Sequence, residues 1–531
     1  MIAVRSVTYV FNINGRFTRR LEARRGIRQG DPISPLLFIL VMEYLNRILS
    51  QLDKIPNFNY HSKCEKMKIT NLCFADDLLL FSRGDIGSVQ IMLDKFNTFL
   101  RSMGLHVNPS KCNIYCGSVD INVKEQLLLI SGFKEGKMPF RYLGIPLSSK
   151  KLNIKHYQVL IDKIVGRITH WSAGLLSYAG RVQLIQSVIF ATINFWMQCL
   201  PLPKFVIMRI NAICRSFLWI GNSNISRKSP IAWEKVCSPK INGGLNIINL
   251  AIWNKISILK LLWNICNKSD NLWIKWLHTY YIRGQSIWSM VLKKSHSWIM
   301  SSMMKLRPLL LQYQSRMQDV FKMKKIYLAL FEESEKMSWR TLMCNNLARP
   351  RALFCLWQAC HFRLASKDRL IKFGLNVDAN CAFCSSMESH EHLFFGCIEL
   401  KTIWTAVLNW LQITHMPSTW SEELNWITRK CKGKGWRAML LKCAFTETIY
   451  HIWAYRNHRV IGGNVNNRKV EDSIINTIIY RVWDRKRYRR MLEKCIVNRN
   501  NIIAGLRADP KQRLSAVEVL NVNRKYLAAK E

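Results

Sequence analysis

The chain has 531 residues, in which 79 Lys and Arg outnumber 34 Asp and Glu, so its formal net charge is +45. The length predicts roughly three or four folding units, and a positive charge spread along the whole chain favours a polyanionic partner, nucleic acid first. No membrane partner is expected, because the longest uncharged stretch, 182–203, is broken by amide side chains and predicts a buried amphipathic helix.

The first predicted elements are a hairpin and a helix. Residues 7–23 alternate apolar and polar side chains around Asn14–Gly15, which is typical of a tight hairpin turn. A dense apolar stripe then follows Pro32 and Pro35 and predicts a helix that ends near Leu52.

A second hairpin is predicted around Asp76–Asp77. The short apolar runs 68–74 and 78–81 flank the two acidic residues, which predicts a strand, a turn and a strand. A helix over 86–103 and a strand near 112–116 are expected to follow. The first 120 residues or so therefore form an α/β part.

Beyond this part the patterns are helical. Residues 152–265 predict consecutive amphipathic helices, residues 339–412 hold a cluster of cysteine and histidine, and the chain from about Ser421 is basic. The sequence therefore predicts an α+β fold in five parts, with boundaries at 1–118, 119–265, 266–337, 338–412 and 413–531.

Asp76 and Asp77 are adjacent carboxylates inside the otherwise apolar run NLCFADDLLLF. Because Asp favours turns, a simple turn is one explanation. Two carboxylates between strands this apolar repel each other, however, and favour an opposing charge. A divalent cation supplies that charge, since Mg²⁺ binds through one or two carboxylates plus substrate phosphates.

Further motifs occur in a fixed order along the chain. They are RRGIRQGDPISPLLFILVMEYL at 24–45, GLHVNPSKCNIYCG at 104–117, FRYLGIPL at 140–147 and GGLNI at 243–247. Together with the Phe-Ala-Asp-Asp turn they resemble the palm of reverse transcriptases from non-LTR (LINE-type) retrotransposons of plant type. The resemblance implies a partial polymerase palm in 1–118, an α-helical thumb and connection in 119–265 and a helical linker region in 266–337.

The resemblance also implies roles for the acidic residues. Asp76 corresponds to the catalytic carboxylate that binds Mg²⁺, and Asp77 to its neighbour, which supports the metal site and the primer end. Asp31 precedes Pro32 at a helix start and is expected to cap that helix rather than to bind metal.

Four further residues are implied as substrate contacts. Arg28, Gln29 and Gly30 of the RQGDP motif correspond to the lining of the template and nucleotide pocket, where glycine lets the backbone approach a base pair. Lys111 corresponds to the lysine near the nucleotide phosphates. A solvated loop lysine remains the alternative at that position.

One ligand expected from the family has no counterpart. Two-metal polymerisation needs a further Asp, which in this family lies upstream of RQGDP, whereas residues 1–30 hold no Asp and a single Glu, Glu22. Glu22 lies in the stretch that leads into RQGDP and does not replace it. We therefore expect an N-terminally truncated polymerase fragment, without fingers, that is inactive alone.

A compact set of metal-ligand types follows at 381–397. Cys381, Cys384, His392 and Cys397 have the spacing C-x2-C-x7-H-x4-C, and three thiolates with one imidazole suit tetrahedral Zn²⁺. A cysteine-rich core loop is the alternative. Spacing alone also leaves His390 open as the fourth ligand.

The run HLFFGC resembles the zinc-binding domain that follows the reverse transcriptase in plant retroelements. This resemblance implies structural Zn²⁺ in 338–412, with His392 as the ligand, and a basic, mostly helical region in 413–531. The run WDRKRYRR at 483–490 suits nuclear import, nucleic-acid binding or a solvated helix face. Basic residues expected to contact phosphates are Arg349, Arg351, Arg363, Lys367 and Arg369.

The resulting prediction is an RNA-directed DNA polymerase lineage, with an RNA template and DNA primer as partners and Mg²⁺ and Zn²⁺ as cofactors. Two alternatives stay open: a non-catalytic or co-opted nucleic-acid-binding protein, and an intron-maturase-like splicing helper, which the surroundings of the zinc cluster disfavour. The N-terminus lacks a signal-peptide pattern. We expect a nuclear or cytoplasmic location.

Overall fold

The computed structural model describes residues 7–22, 26–148, 150–171, 176–226, 229–291, 293, 296–314, 321–331, 335–433, 435–462 and 467–483. All of the WDRKRYRR run except Trp483 lies outside the described residues. The described residues fall into two compact units, one within 1–153 and 264–298, the other within 154–263 and 299–531. The first mixes strands and helices, so the predicted α+β class is confirmed.

The first unit begins with short strands that pair two by two: β1 with β4, β2 with β3, β5 with β6, β7 with β8 and β9 with β10. All pairs are antiparallel except β7 with β8. The strands are β1 (Thr8–Tyr9), β2 (Asn12–Ile13), β3 (Arg16–Phe17), β4 (Leu21–Glu22), β5 (Asn71–Phe74), β6 (Asp77–Leu80), β7 (Asn113–Ile114), β8 (Lys134–Glu135), β9 (Phe140–Tyr142) and β10 (Ile145–Leu147). The helices here are α1 (Ser34–Ser50), α2 (Ile86–Met103) and α3 (Ile121–Ser131).

Local signals explain why several predicted elements are confirmed. Asn14 and Gly15 both have positive φ, as a tight two-residue hairpin turn between β2 and β3 requires. Helix α2 has the predicted bounds because the Asp85 carboxylate accepts from the Ser88 amide at its start and Gly104 ends it with φ +64°. The core of the unit lies where α1 meets α2, through Leu45, Leu49, Met92 and Phe99.

Helix α1 starts two residues later than Pro32 and has Pro35 in its first turn. With the following 3-10 turn, the segment Ser34–Lys54 is the one described segment long and apolar enough to cross a membrane, by length and composition alone. In its second half one face is buried in the core of the unit, through Leu45, Ile48, Leu49 and Leu52. The first half is different, because Leu36 and Leu40 are more than 60% exposed.

The chain continues as consecutive helices, as predicted for 152–265. The uncharged stretch 182–203 runs through two of them and the π-helical turn that joins them, with Ile189 and Trp196 buried, as predicted for an amphipathic helix. These helices are α4 (Gln158–Trp171), α5 (Tyr178–Leu184), α6 (Phe190–Cys199), α7 (Lys204–Trp219), α8 (Trp233–Val236) and α9 (Leu250–Cys266).

Residues 264–298 pack within the first unit. Helix α10 (Leu272–Leu277) and the turn after it contribute two long-range hydrogen bonds. Trp276 Nε1 donates to the Lys63 carbonyl (2.7 Å), and the Tyr280 hydroxyl accepts from the Lys66 amide (2.8 Å). The predicted linker 266–337 is therefore divided between the two units.

From Trp298 the described chain is almost wholly helical. The helices are α11 (Trp298–Lys305), α12 (Arg307–Gln314), α13 (Met323–Ala329), α14 (Arg340–Met343), α15 (Pro350–Cys360), α16 (Lys367–Lys372), α17 (Ile398–Trp410), α18 (Trp420–Lys430), α19 (Trp436–Val460) and α20 (Asn467–Trp483). The 25-residue α19 is buried along most of its length and packs against α15, α17, α18 and α20. It is therefore the central helix of the second unit.

The GGLNI motif has a structural explanation. Gly243 has φ +85°, and its carbonyl oxygen lies 2.8 Å from both the buried Trp357 Nε1 and the His361 Nε2. Gly244 has no room for a side chain, because a Cβ there would lie 1.9 Å from the Ser238 carbonyl oxygen. Gly243 thus lets this loop contact α15, and Gly244 lets it pack against the backbone at Ser238.

A buried polar network anchors α19 to the start of α15. Glu447 is fully buried and accepts from the Arg349 amide (2.7 Å) and Nε (3.0 Å). The Arg349 guanidinium also lies 2.8 Å from His451 Nε2. Burial, with the neighbouring Arg349 charge, lowers the pKa of His451 to about 3, so this imidazole is neutral and accepts the hydrogen bond.

We expect Gly244→Ala to lower the free energy of unfolding by about 3 kcal/mol, because the added methyl group overlaps backbone atoms that cannot move independently. Gly166→Ala is the matched control, because Gly166 lies inside α4 with open space around its Cα. Alanine there is expected to raise the free energy of unfolding by about 1 kcal/mol. Urea unfolding followed by tryptophan fluorescence measures both. Equal effects of the two substitutions on the free energy of unfolding would contradict the close packing around Gly244.

A second prediction concerns acid stability. The folded chain keeps His451 neutral, whereas the unfolded chain takes up a proton below the usual pKa of about 6.5. Each pH unit between 6.5 and the lowered folded pKa therefore costs up to about 1.4 kcal/mol. Between pH 7 and pH 4.5, the free energy of unfolding should fall less in His451→Gln than in the wild type. His106→Gln, at an exposed position, should leave the slope unchanged.

Candidate metal centres

The hairpin of β5 and β6 carries Asp76 and Asp77, as predicted. The strands pair antiparallel with Phe74 opposite Asp77, and the turn is formed by Ala75, with φ +50°, and Asp76. Both carboxylates are exposed. Phe74 beside them is 60% exposed. The tip of the hairpin therefore faces open space.

No described residue forms an ion pair with Asp76 or Asp77. Their charges act instead on two neighbours. The pKa of Cys73 is raised by partial burial and then by both carboxylates, and that of Tyr142 is raised by partial burial and then by Asp77. The structure thus brings Tyr142, on β9, within reach of the acidic pair. Tyr142 belongs to the motif FRYLGIPL, but no local pattern in the sequence indicated its place near Asp77.

The other residues predicted for this site lie on exposed loops. Arg28, Gln29 and Gly30 precede α1, and Gly30 has φ +88° with open space where a Cβ would stand. Lys111 ends the 3-10 turn Pro109–Lys111. No described hydrogen bond or ion pair joins any of them to the acidic pair. The prediction that Asp31 caps α1 is wrong: the helix begins at Ser34, its N-cap is Ile33, and no side chain caps it. The Asp31 carboxylate instead accepts from the Ile33 amide (3.0 Å) in the preceding turn.

The second centre brings together the four predicted zinc ligands. The ligand atoms of Cys381, Cys384, His392 and Cys397 all lie within 4.8 Å of one another. The Cys384 and Cys397 sulfurs are 3.8 Å apart, and Cys384 Sγ is 3.2 Å from His392 Nε2. A tetrahedral Zn²⁺ with bonds of about 2.3 Å to sulfur separates two sulfurs by about 3.8 Å. These residues therefore fit Zn²⁺ as they stand.

Two local structures produce this arrangement. Cys381 and Cys384 lie in a loop closed by a bridge between Asn380 and Met387. His392 and Cys397 lie at the two ends of a π-helical turn, in which the Cys397 amide donates to the His392 carbonyl (2.6 Å). An i to i+5 bond places these two residues on the same side of the turn, which explains the x4 spacing.

The thiols of this centre are polarised before any metal binds. A hydrogen bond from the Cys397 thiol lowers the pKa of Cys381 to about 4, and the same contact raises the pKa of Cys397. One thiolate is therefore favoured in the metal-free centre. Zinc binds cysteine as thiolate, so metal binding at this centre releases protons.

His390 is not part of the ligand group. Its ring is buried among aromatic side chains, 4.7 Å from the Phe362 ring and 4.5 Å from the Trp420 ring. Burial lowers its pKa to about 4. Among the described residues, the geometry thus favours His392 over His390, although the spacing left both open.

The basic residues expected to contact phosphates divide into two groups. Arg349 is engaged by the buried Glu447, Lys367 Nζ binds Asp378 (3.1 Å), and one guanidinium nitrogen of Arg369 donates to the Leu364 carbonyl (3.2 Å). These three side chains already have partners within the protein. For the other two, Arg351 and Arg363, contact with phosphates stays a prediction.

The ligand assignment gives a direct prediction. His392→Ala removes one of four ligands and should lose most of the bound zinc. His390→Ala should keep one zinc per chain, because this ring only packs against aromatic side chains. Atomic absorption after buffer exchange measures the number of zinc ions per chain for both variants. Zinc retained in His392→Ala but lost in His390→Ala would reverse the assignment.

Comparison with known protein families covers both centres. Residues 2–147, which include the acidic hairpin, match the family described as reverse transcriptase (RNA-dependent DNA polymerase). Residues 321–404, which include the four zinc ligands, match the family described as zinc-binding in reverse transcriptase.

Curated relatives share shorter segments. A putative ribonuclease H protein of Arabidopsis thaliana is 28% identical over 141 residues, 27% of this chain and 23% of the relative. The Pol polyprotein of a type-1 R2 retrotransposable element of Popillia japonica is 39% identical over 100 residues, 19% of this chain and 16% of the relative. That of the type-2 R2DM element of Drosophila melanogaster is 41% identical over 104 residues, 19% of this chain and 9% of the relative.

The chain thus spans less than a quarter of the length of each of these relatives. The two family matches follow the two centres, in the order in which the motifs predicted them. This chain carries a reverse transcriptase domain together with the zinc-binding domain of reverse transcriptases, and it is similar to the Pol polyproteins of R2-type retrotransposable elements.

Proposed function

We propose that this chain binds an RNA template with a DNA primer, and that Asp76 and Asp77 hold Mg²⁺ at the primer end. The observation that carries the proposal is the exposed acidic pair at the tip of the β5–β6 hairpin, within the reverse transcriptase match. The net charge of +45 supports a nucleic-acid partner. The names of the relatives, Pol polyproteins, support the polymerase lineage.

Mg²⁺ suits the acidic pair for an electrostatic reason. Two adjacent carboxylates without an ion-pair partner leave a doubled negative charge in an otherwise basic chain. Mg²⁺ keeps several waters and binds through one or two carboxylates plus substrate phosphates, and it would neutralise the phosphates of an incoming nucleotide. Asp76, in the turn, is the proposed ligand, and Asp77, at the start of β6, supports it.

The neighbouring loops suit contacts with the substrate. Gly30 leaves open space beside the backbone, where a base pair can approach closely. Arg28 and Gln29 are exposed beside it and would contact the template and the nucleotide. Lys111, exposed at the end of its 3-10 turn, would contact phosphates.

The metal site of the hairpin is open. Among the described residues, the group of zinc ligands is the one set of three or more His, Cys, Asp or Glu side chains placed to share an ion. Asp76 and Asp77 therefore have no third protein ligand there, whereas two-metal polymerisation uses several carboxylates around both ions. We propose that the 531-residue chain by itself holds primer and template without extending the primer.

Fluorescence anisotropy with a labelled RNA–DNA primer–template tests the binding. We expect the dissociation constant to rise steeply with salt, because bound phosphates release counterions. Mg²⁺ should tighten binding in the wild type and not in Asp76→Asn. Asp94→Asn removes an exposed carboxylate of α2 and should keep the Mg²⁺ effect. Salt-independent binding, or no binding, would contradict the proposal.

Primer extension with Mg²⁺ and deoxynucleotides tests the catalytic part separately. We expect the wild-type chain to add no nucleotide under conditions in which it binds the primer–template. Extension that Asp76→Asn abolishes would show that two carboxylates suffice here. That result would overturn the proposed inactivity while supporting the role of Asp76.

A further inference from the structure

The loop that carries Cys381 and Cys384 is fastened to α19 at two points. Glu388, at the end of the loop, accepts two hydrogen bonds from the Arg456 guanidinium, one of them from Nε at 3.0 Å. Phe383, between the two cysteines, packs its ring 4.8 Å from the ring of Tyr455. Two adjacent residues of one helix therefore hold the loop.

The ion pair between Glu388 and Arg456 is buried on both sides. The Glu388 side chain is fully buried, and that of Arg456 is 6% exposed. Glu388 also accepts from the Lys367 amide (2.9 Å), and its own amide donates to the Ala379 carbonyl (2.8 Å). The carboxylate thus links the helix directly to the closure of the loop.

The other two ligands are held by different contacts. His392 and Cys397 bracket a π-helical turn whose apolar side chains are buried. Glu391, beside His392, accepts from the Trp420 amide (2.9 Å) and the Ser421 hydroxyl (3.0 Å) at the start of α18. The zinc centre therefore has two separately anchored halves, which must be placed correctly relative to each other.

We propose that Glu388 and Arg456 are positioning residues for zinc: their ion pair holds the Cys381–Cys384 loop so that its sulfurs face His392 and Cys397 before the metal arrives. A site held in its bound geometry loses less conformational freedom on binding. Breaking the pair leaves Glu388 buried without its counter-charge, so the loop should move toward solvent. The proposal depends on the zinc site and not on nucleic-acid binding.

Zinc affinity of the full chain, measured by competition with a chromophoric chelator, tests this. Arg456→Met should bind zinc about tenfold more weakly, the lower end of the range for residues that orient metal ligands. Arg349→Met is the matched control, because it makes the same change in the other buried ion pair of α19. It should lower stability and leave zinc affinity unchanged.

Arg456→Lys gives a second, milder variant. Lysine keeps the charge but cannot form the two-pronged contact, so its zinc affinity should lie between those of wild type and Arg456→Met. If circular dichroism shows that Arg456→Met does not fold, the zinc affinity of Arg456→Lys tests the proposal instead. The visible spectrum of Co²⁺ in place of zinc should keep its four-coordinate form in Arg349→Met.

Two results would overturn the proposal. One is wild-type zinc affinity in Arg456→Met, or in Arg456→Lys when the methionine variant is unfolded. The other is an equal loss of affinity in Arg456→Met and Arg349→Met, which would mean that zinc binding follows general stability. Neither result bears on primer–template binding, so failure here is distinguishable from failure of the proposed function.

Discussion

Two buried ion pairs on α19 are the interactions on which the second unit depends. Glu447 binds Arg349 at the start of α15, and nine residues later Arg456 binds Glu388 at the end of the zinc loop. Removing one partner of such a pair leaves a buried charge uncompensated, which typically costs about 3–5 kcal/mol. The central helix therefore fixes the position of the zinc loop and of α15 through charges as well as apolar packing.

Acidic residues are few in this chain, so the place of each one is informative. With 34 acidic against 79 basic residues, most basic side chains have no acidic partner and remain available for an anionic ligand. Acidic residues around the zinc centre have structural roles. Glu391 accepts a hydrogen bond from the Trp420 amide at the start of α18, and Glu423 accepts from Trp404 and His415. Asp76 and Asp77 differ, because no described residue neutralises them. Their adjacency at an exposed hairpin tip, together with the lack of an ion-pair partner among the described residues, is what supports the proposed cation site.

Helix ends and ligand spacings, which depend on residues close together in the chain, could be predicted from the sequence. Asp85 and Gly104 determine the ends of α2, and the spacing of the four zinc ligands follows from a short loop and a π-helical turn. The sequence could not predict contacts between distant residues. Arg456 lies 68 positions from Glu388, and Tyr280 lies 214 positions from Lys66. No local pattern indicates such pairs, so the division of 266–337 between two units and the interior role of Arg349 became visible only in the structure.

The two centres differ in a way that follows from their geometry. The zinc ligands form a set of four, in which the Cys384 and Cys397 sulfurs are already separated as around a tetrahedral ion, so the set leaves no position for substrate and suits a structural role. The acidic pair is exposed, and the charge of Asp77 helps to raise the pKa of Tyr142. An ion there must complete its coordination with water or phosphate oxygens. The first centre is therefore closed around a single ion, while the cation proposed for the second would bind together with a ligand.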